Sequence, residues 1–570
     1  MTTSESPTTG ARTPTAIDTI ADTWVDTELD LFPEFRVYLG RPGREGEYGD
    51  YSPDGHETAA AATRETLKSL REAQPVDDVD LVTKLDLTRE LELAIEKHEA
   101  GFEQRDLNVI ASPAQALRDI FDLVPTASED DWASIAKRMH NLPAAMNGYI
   151  QTLRSGIAAG NVPAIRQVRE IITQANKQVA DSGFFFQLAE NAKAGDADLP
   201  DSLKNDLAAG AKESAAAYAQ LASFLNDELA GHAPQKDAVG RELYALASRD
   251  FLGATVDLDE TYEWGIEELR RMTDEQESIA SQIKPGASVH EAIEFLDGDA
   301  GRKLHGTDAL QKWMQATSDR AVDELGKTHF DIPTEVRRLE CMIAPTQEGG
   351  IYYTGPSDDF VRAGRMWWSV PEGVTEFDTW RELTTVYHEG VPGHHLQIGM
   401  ATYNKAQLNS WRRIAGTSGH AEGWALYAER LMEQLGYLDD PADRLGMLDG
   451  QRMRAARVVL DIGVHLEKPL PDASTGLSAG ASGRWTGEYA FGFLGENVNM
   501  SKEFVRFEVN RYLGWPGQAP SYKVGQRIWE QIRDEYKKRE GDAFDIKAFH
   551  KKALDIGGVG LDTLKVAMLG

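Results

Sequence analysis

From position 57 to about position 330 one pattern dominates the chain and restricts its fold more than any other feature. Segments 58–73, 77–105, 113–122, 129–156, 162–182, 201–229, 236–249 and 258–283 place apolar residues three and four apart, with Ala, Glu, Lys and Arg between them. At about 3.6 residues per turn, this spacing gives each helix one apolar stripe that must be buried against a neighbour. Ser112-Pro113, Asn161-Val162-Pro163, Leu199-Pro200-Asp201 and Lys284-Pro285-Gly286 punctuate the segments. Proline lacks the N–H that would continue a helix. Ahead of this run, 17–35 reads as a first amphipathic helix closed by Leu31-Phe32-Pro33, and the Gly/Pro/Asp-rich stretch 38–56 as a loop. Residues 1–16, rich in Ser, Thr and Pro and without an apolar centre, read as a disordered tail rather than a signal peptide. No fixed period recurs, which disfavours a regular solenoid.

Near Asp331 the character changes. Arg338–Pro345, Gly350–Thr354 and Gly364–Val370 are short, apolar or aromatic, and bounded by Gly and Pro, as strands are. Helical periodicity resumes at 377 and continues to the C-terminus. The expectation is therefore a mainly α, bilobed fold: a helical lobe over 17–330 and a second lobe over 331–570. The second lobe carries a small antiparallel β-sheet directly before the helix that starts near 377. Sequence does not separate two domains from one continuous bilobed unit.

The chemistry concentrates in His388-Glu389-Gly390-Val391-Pro392-Gly393-His394-His395, where three of the chain's 13 histidines fall within eight residues. Two imidazoles and a carboxylate can hold a metal ion with one position open, and a second carboxylate can act as base. The familiar arrangement is H-E-x-x-H on one helix, but here the position four after His388 is Pro392. On an unbroken helix, at about 100° and 1.5 Å per residue, His394 would point roughly 240° away from His388. His395 would share its face but lie about 10.5 Å along the axis. Neither could share an ion with His388. Pro392 removes an N–H and Gly393 can take φ > 0, so the pair predicts a break that folds the chain back. His394 is the preferred second ligand, with His395 the alternative. For the third ligand, Glu422 stands in the first turn of a helix, flanked by Ala421, Gly423 and Trp424. A carboxylate in such a packed turn needs a cation. Glu429, two turns on, is a candidate partner for a ligand histidine or a solvated charge.

Composition narrows the alternatives. A net charge of -32 over 570 residues, with no basic cluster, excludes nucleic acid and anionic lipid as natural partners. No run of 18 apolar residues marks a transmembrane helix. The single cysteine, Cys341, cannot form an internal disulfide and reads as a buried thiol in a strand. These features point to a soluble, cytoplasmic protein; oligomeric state is not legible.

HEGVPGHHLQ at 388–397, EGWALYAE at 422–429 and RYLGWPGQAPSYKVG at 511–525 resemble a bacterial domain-of-unknown-function family. That family in turn resembles carboxypeptidase Taq and the neurolysin-like zinc peptidases. The likeness to the first family runs from Leu31-Phe32-Pro33 to the C-terminus. The resemblance implies that His388, His394 and Glu422 hold zinc, that Glu389 activates water, and that peptide bonds are hydrolysed, carboxypeptidase- or oligopeptidase-like. It implies that the strand at Trp367–Val370 offers an open edge to a peptide substrate. It also suggests a late tyrosine or histidine for the oxyanion, Tyr522 or His465, and Arg511 either for a substrate carboxylate or for a structural ion pair. Two other readings are a zinc hydrolase of a non-peptide ester or amide, and a catalytically silent helical interaction protein.

Overall fold

The structure, a computed structural model, describes residues 11–345, 350–471 and 483–570; residues 1–10 of the expected tail lie outside them. The first helix, α1 (Ala16–Leu31), starts one residue before the sequence expectation. The Thr15 side chain accepts from the Asp18 N–H, and the Asp18 side chain accepts from the Thr15 N–H. This reciprocal cap satisfies two otherwise unpaired donors. Ser52, Asp77 and Ser128 cap α2 (Pro53–Glu72), α3 (Asp78–Glu99) and α4 (Glu129–Ala159) through their side chains. Then follow α5 (Ile165–Val179), α6 (Asp201–Phe224), α7 (Arg241–Leu252), α8 (Leu258–Ile283) and α9 (Thr307–Thr328). No helix among the described residues is long and apolar enough to cross a membrane.

The protein is mainly helical, with two large cores. One gathers side chains from Tyr51 to Ala233, including Trp132, Tyr149 and Tyr218. The other runs from Tyr244 to Met568, so that Leu269 of α8 and Leu325 of α9 pack in one cluster with Trp380, Tyr387 and Trp424. Packing thus divides the chain between 233 and 244, well before the change of composition at 331. The reason is simple: 331 marks where strands begin, not where apolar stripes change partners. A smaller cluster seats Trp411 of the second half against Ile17, Trp24, Leu70 and Leu87.

The sheet comprises β1 (Leu339–Ile343), β2 (Ile351–Thr354) and β3 (Gly364–Trp368) in the order β1-β3-β2. It is mixed, not antiparallel: β2 and β3 are antiparallel, whereas β1 runs parallel to β3. The chain reverses between β1 and β2 and again between β2 and β3, so strands one and three point the same way. Because β1 docks on β3 rather than on β2, a parallel pair results. This order also corrects the expected open edge at Trp367–Val370. Trp367 is paired on both sides, with Met342 and with Tyr352. On the far side of β1, Gln315 of α9 accepts from the Cys341 N–H at 3.0 Å and donates to the Leu339 carbonyl at 2.9 Å. That leaves β2 as the outer strand. Cys341 is buried in β1, and burial pushes its thiol up to about 11, away from nucleophilic use.

The remaining elements frame the histidine cluster: α10 (Thr379–Glu389), α11 (His394–Tyr403), α12 (Ser418–Gln434), α13 (Pro441–His465), α14 (Lys502–Gly514) and α15 (Ser521–Glu540). Of these, α13 is buried along most of its length and serves as the spine of the second core.

Candidate metal centre

His388 and Glu389 occupy the last turn of α10, both buried. The Gly390 N–H still reaches the Val386 carbonyl at 3.0 Å, but the Gly393 N–H turns back to the Tyr387 carbonyl at 3.1 Å, and α11 then starts at His394. The break falls where Pro392-Gly393 predicts it, yet Gly393 is needed for a different reason than expected. Its φ is -75, not positive. A Cβ there would stand 1.8 Å from the His388 carbonyl oxygen, so only glycine lets the chain pass that close. The indole N–H of Trp424 donates to the Pro392 carbonyl at 2.8 Å and fixes the turn to α12. The outcome is that the His388 and His394 rings meet edge to face, centroids 4.8 Å apart. His388, Glu389 and His394 each offer a ligand atom, all within 4.8 Å of one another, and this cluster can hold a metal ion.

Glu422 is carried into the same space by a close helix crossing. A Cβ on Gly423 would lie 2.4 Å from the carbonyl carbon of Gly525, and one on Gly525 2.2 Å from the Gly419 oxygen, so α12 and α15 touch through bare backbone. Glu422 Oε2 stands 3.2 Å from His388 Nε2 and 3.6 Å from His394 Nε2. Donor atoms bound at about 2.0–2.2 Å to one tetrahedral ion stand roughly 3.3–3.6 Å apart. Glu422 Oε2 and His394 Nδ1 are buried with no hydrogen-bond partner. Glu389 belongs to the tight cluster as well, but it is Glu422 whose single oxygen faces both imidazoles. Glu389 and Glu422 thus both stand beside the two imidazoles, Glu389 within the His388–His394 cluster and Glu422 facing both rings through one oxygen.

Behind His388, Nδ1 bonds Glu429 Oε1 at 2.8 Å, and Glu429 Oε2 accepts from Gln451 at 2.9 Å. Gln451 in turn accepts from Lys523 Nζ at 2.6 Å. Glu429 thereby fixes Nδ1 as the donor and turns Nε2 toward the site, where its lone pair becomes available once the Nε2 proton is displaced. Replacing Glu429 by Ala should weaken metal binding by about 10–100-fold, read by competition with a chromogenic chelator. Gln451 and Lys523 escape sequence reading because each is a lone polar residue on a separate helix, without a motif around it.

Three carboxylates surround the two imidazoles. Burial alone would lower the His388 imidazolium, but Glu422, Glu429 and Glu389 together outweigh it and raise the group from 6.5 to about 10. Burial acts to raise Glu422, yet the two histidines hold it well below the usual carboxylate range. These are one interaction seen from its two ends, and they mark a site that demands positive charge. Because the folded His388 value lies above the unfolded one, this proton stabilises the cation-free protein below pH 6.5, and the gain is lost as pH rises toward 10. A metal must displace that proton. Metal binding near neutral pH should therefore release protons, measured by calorimetry in buffers of different ionisation heat, and affinity should rise with pH.

The other candidates divide sharply. Tyr522 is half-buried on the first turn of α15, raised by burial and then by the nearby Glu422 charge, with the Arg457 guanidinium 5.2 Å from its ring centre. His395 points elsewhere: Nε2 donates to the Val336 carbonyl at 2.7 Å, and Nδ1 accepts from Tyr353 of β2 at 2.9 Å. Burial lowers its imidazolium to about 4, so it is a neutral brace between α11 and the sheet. The expectation for His465 is corrected. It is fully buried, stacks on Tyr244, and donates from Nε2 to the Tyr512 carbonyl at 3.0 Å. Asp461 meanwhile accepts from Tyr244 and the Gly517 N–H. The pair at i, i+4 is fully buried and braces the loop after α14. Arg511 is likewise engaged, bonding Glu508 at 3.2 Å and Gln518 at 2.7 Å.

Fold and site together define a mainly helical protein with a His388–Glu389–His394 cluster that could hold a metal ion where α10 meets α11, faced by Glu422 of α12. The chain belongs to the bacterial family described as "Bacterial protein of unknown function (DUF885)", whose sequence profile matches residues 33–568. It is similar in fold to a solved Colwellia psychrerythraea protein described as a "putative lipoprotein". The TM-score is 0.83 at 20% identity, over 97% of this chain and 99% of that one. A Shewanella oneidensis protein, described as a "putative lipoprotein of unknown function", gives 0.73 at 18% identity, over 98% and 100%. A search of curated proteins gives no significant match. None of these descriptions names a peptidase or a metal.

Proposed function

We propose that this chain is a zinc-dependent hydrolase of peptide bonds, of carboxypeptidase or oligopeptidase type. The observation that carries the reading is the meeting of His388 Nε2 and His394 Nε2 at one oxygen of Glu422, 3.2 and 3.6 Å away, with Glu389 alongside. Two imidazoles and a carboxylate suit zinc with one position left open. Such an ion, when bound, supplies Lewis acidity to a substrate carbonyl and makes water a better nucleophile. The chain's own groups do the rest. Glu389 takes the proton of the attacking water and returns it to the departing amine. Tyr522 donates a hydrogen bond to the oxygen that becomes negative, a contribution of about 3–4 kcal/mol for a preorganised donor. Glu429 keeps His388 in the correct tautomer and orientation. The outer edge of β2, tied to α11 by the Tyr353–His395 hydrogen bond, is where an extended peptide would add as a further strand.

The test is hydrolysis of a mixed peptide library by the purified full chain, with and without a chelator. Metal-dependent trimming is expected. Removal of one C-terminal residue at a time identifies a carboxypeptidase, and internal cuts identify an oligopeptidase. Turnover confined to esters or small amides, or bound metal with no turnover at all, would overturn the peptidase reading.

A further inference from the structure

Between the two cores lies a cavity of about 420 Å³, within the range of small-molecule sites, and no residue of the metal centre lines it. Its walls come from α3, the segment after it, the start of α5, α7, and the Leu513–Pro516 loop. Most of the charged residues that line it are already paired. Lys97 bonds Asp250 at 2.7 Å, Asp237 is held by Arg166 at 2.9 Å, and Glu103 accepts from His98 at 3.0 Å. Two are not. Arg105 reaches only the neutral Asn161 amide oxygen, at 3.4 Å, and has no ion-pair partner among the described residues. Burial also lowers its guanidinium. The Asp106 carboxylate has no hydrogen-bond partner among the described residues, and burial raises it to about 7, only partly offset by Lys97. A third lining group, Gln167, is 1% exposed and donates to the Asn510 carbonyl, while its own Oε1 is buried without a partner. Unmet positive and negative groups thus line one partly open cavity, against walls of Phe102, Phe251 and Trp515.

An occupant that satisfies this set must bring one anionic group, one cationic N–H donor and an apolar body. A polyanion such as a nucleotide fails, because the acidic residues Glu103, Asp106, Asp237 and Asp250 outnumber the basic Lys97 and Arg105 in the lining. We propose that the cavity binds a zwitterionic α-amino acid or dipeptide with an apolar side chain. Its carboxylate meets Arg105, its ammonium meets Asp106, and its side chain lies among Phe102, Phe251 and Trp515. The site is separate from the metal centre, and the inference stands whatever reaction that centre performs.

Calorimetric titration of the full chain with L-leucine, L-phenylalanine, leucyl-leucine, N-acetyl-L-leucine and L-leucinamide tests this. Saturable binding of at least one zwitterion is expected, unchanged by chelator. N-acetyl-L-leucine, lacking the ammonium, and L-leucinamide, lacking the carboxylate, should each bind at least about tenfold more weakly than L-leucine, the loss of one charged contact. Arg105→Gln and Asp106→Asn should each cost a similar factor. The tighter of leucine and leucyl-leucine tells amino acid from dipeptide. The proposal is overturned if no zwitterion saturates, if the blocked analogues bind as well as leucine, or if both variants bind like the unmodified chain. Should the variants not fold, the analogue series on the unmodified chain decides.

Discussion

Glu389→Gln is expected to keep its metal and lose peptide turnover by about 10²–10⁴-fold, the range for removal of a general base. The amide fills the same volume, so the turn and the imidazoles on either side of it should stay in place. What goes is the lone pair that accepts a proton from water. The proposed ligand set keeps His388, His394 and the facing oxygen of Glu422. Glu389 contributes to the field that holds His388 protonated without metal, so the variant should also bind metal with less proton release. Paired measurement of turnover and metal content checks the point: retained activity would remove Glu389 as base, and lost metal would make it a ligand.

The second large effect lies in the turn. Gly393→Ala should lower thermal stability and metal affinity together. The added methyl would meet the His388 carbonyl oxygen at 1.8 Å and the Tyr387 carbonyl oxygen at 2.5 Å. Both are backbone atoms that cannot swing aside. Either the clash is borne, at the upper end of overpacking costs, about 3 kcal/mol, or the turn opens and carries His394 away from Glu422. In both cases chelator competition and a melting curve should move in the same direction. Gly495→Ala, in the exposed part of the helix Gly487–Asn497, is the control. A Cβ there meets nothing within 4 Å, so the change should be neutral or stabilise by up to about 1 kcal/mol through helix propensity.

Local order was the legible part of this chain. Helices show in sequence because a stripe of period 3.6 is a local property, and the break at Pro392-Gly393 shows because a missing N–H is one too. The candidate centre was legible as a cluster for the same reason: its residues lie in two short segments, and the geometry of an unbroken helix demands a break after His388, while the choice between His394 and His395 needed the structure, which turns His395 to Val336 and Tyr353. What stayed hidden depends on distant partners. Nothing within 339–368 says that β1 docks on β3 rather than on β2, and that choice made the sheet mixed and closed the edge at Trp367. The split between cores near 240 was masked because α7 to α9 carry the same periodicity as the helices before them. His465 and Asp461 have the spacing of a catalytic pair, and only their burial behind Tyr244 and Gly517 reveals a brace. Gly393 was the right residue for the turn, but its need arises from a carbonyl oxygen 1.8 Å away, which no dihedral preference announces.

The central claim is that His388, His394 and Glu422 grip one divalent ion across that turn. Elemental analysis of the purified chain beside His394→Ala, Glu422→Ala and His395→Gln tests it most directly. The account predicts one zinc per chain in the unmodified protein and in His395→Gln, and its loss from the other two. Metal retained by His394→Ala, or lost only from His395→Gln, would contradict it.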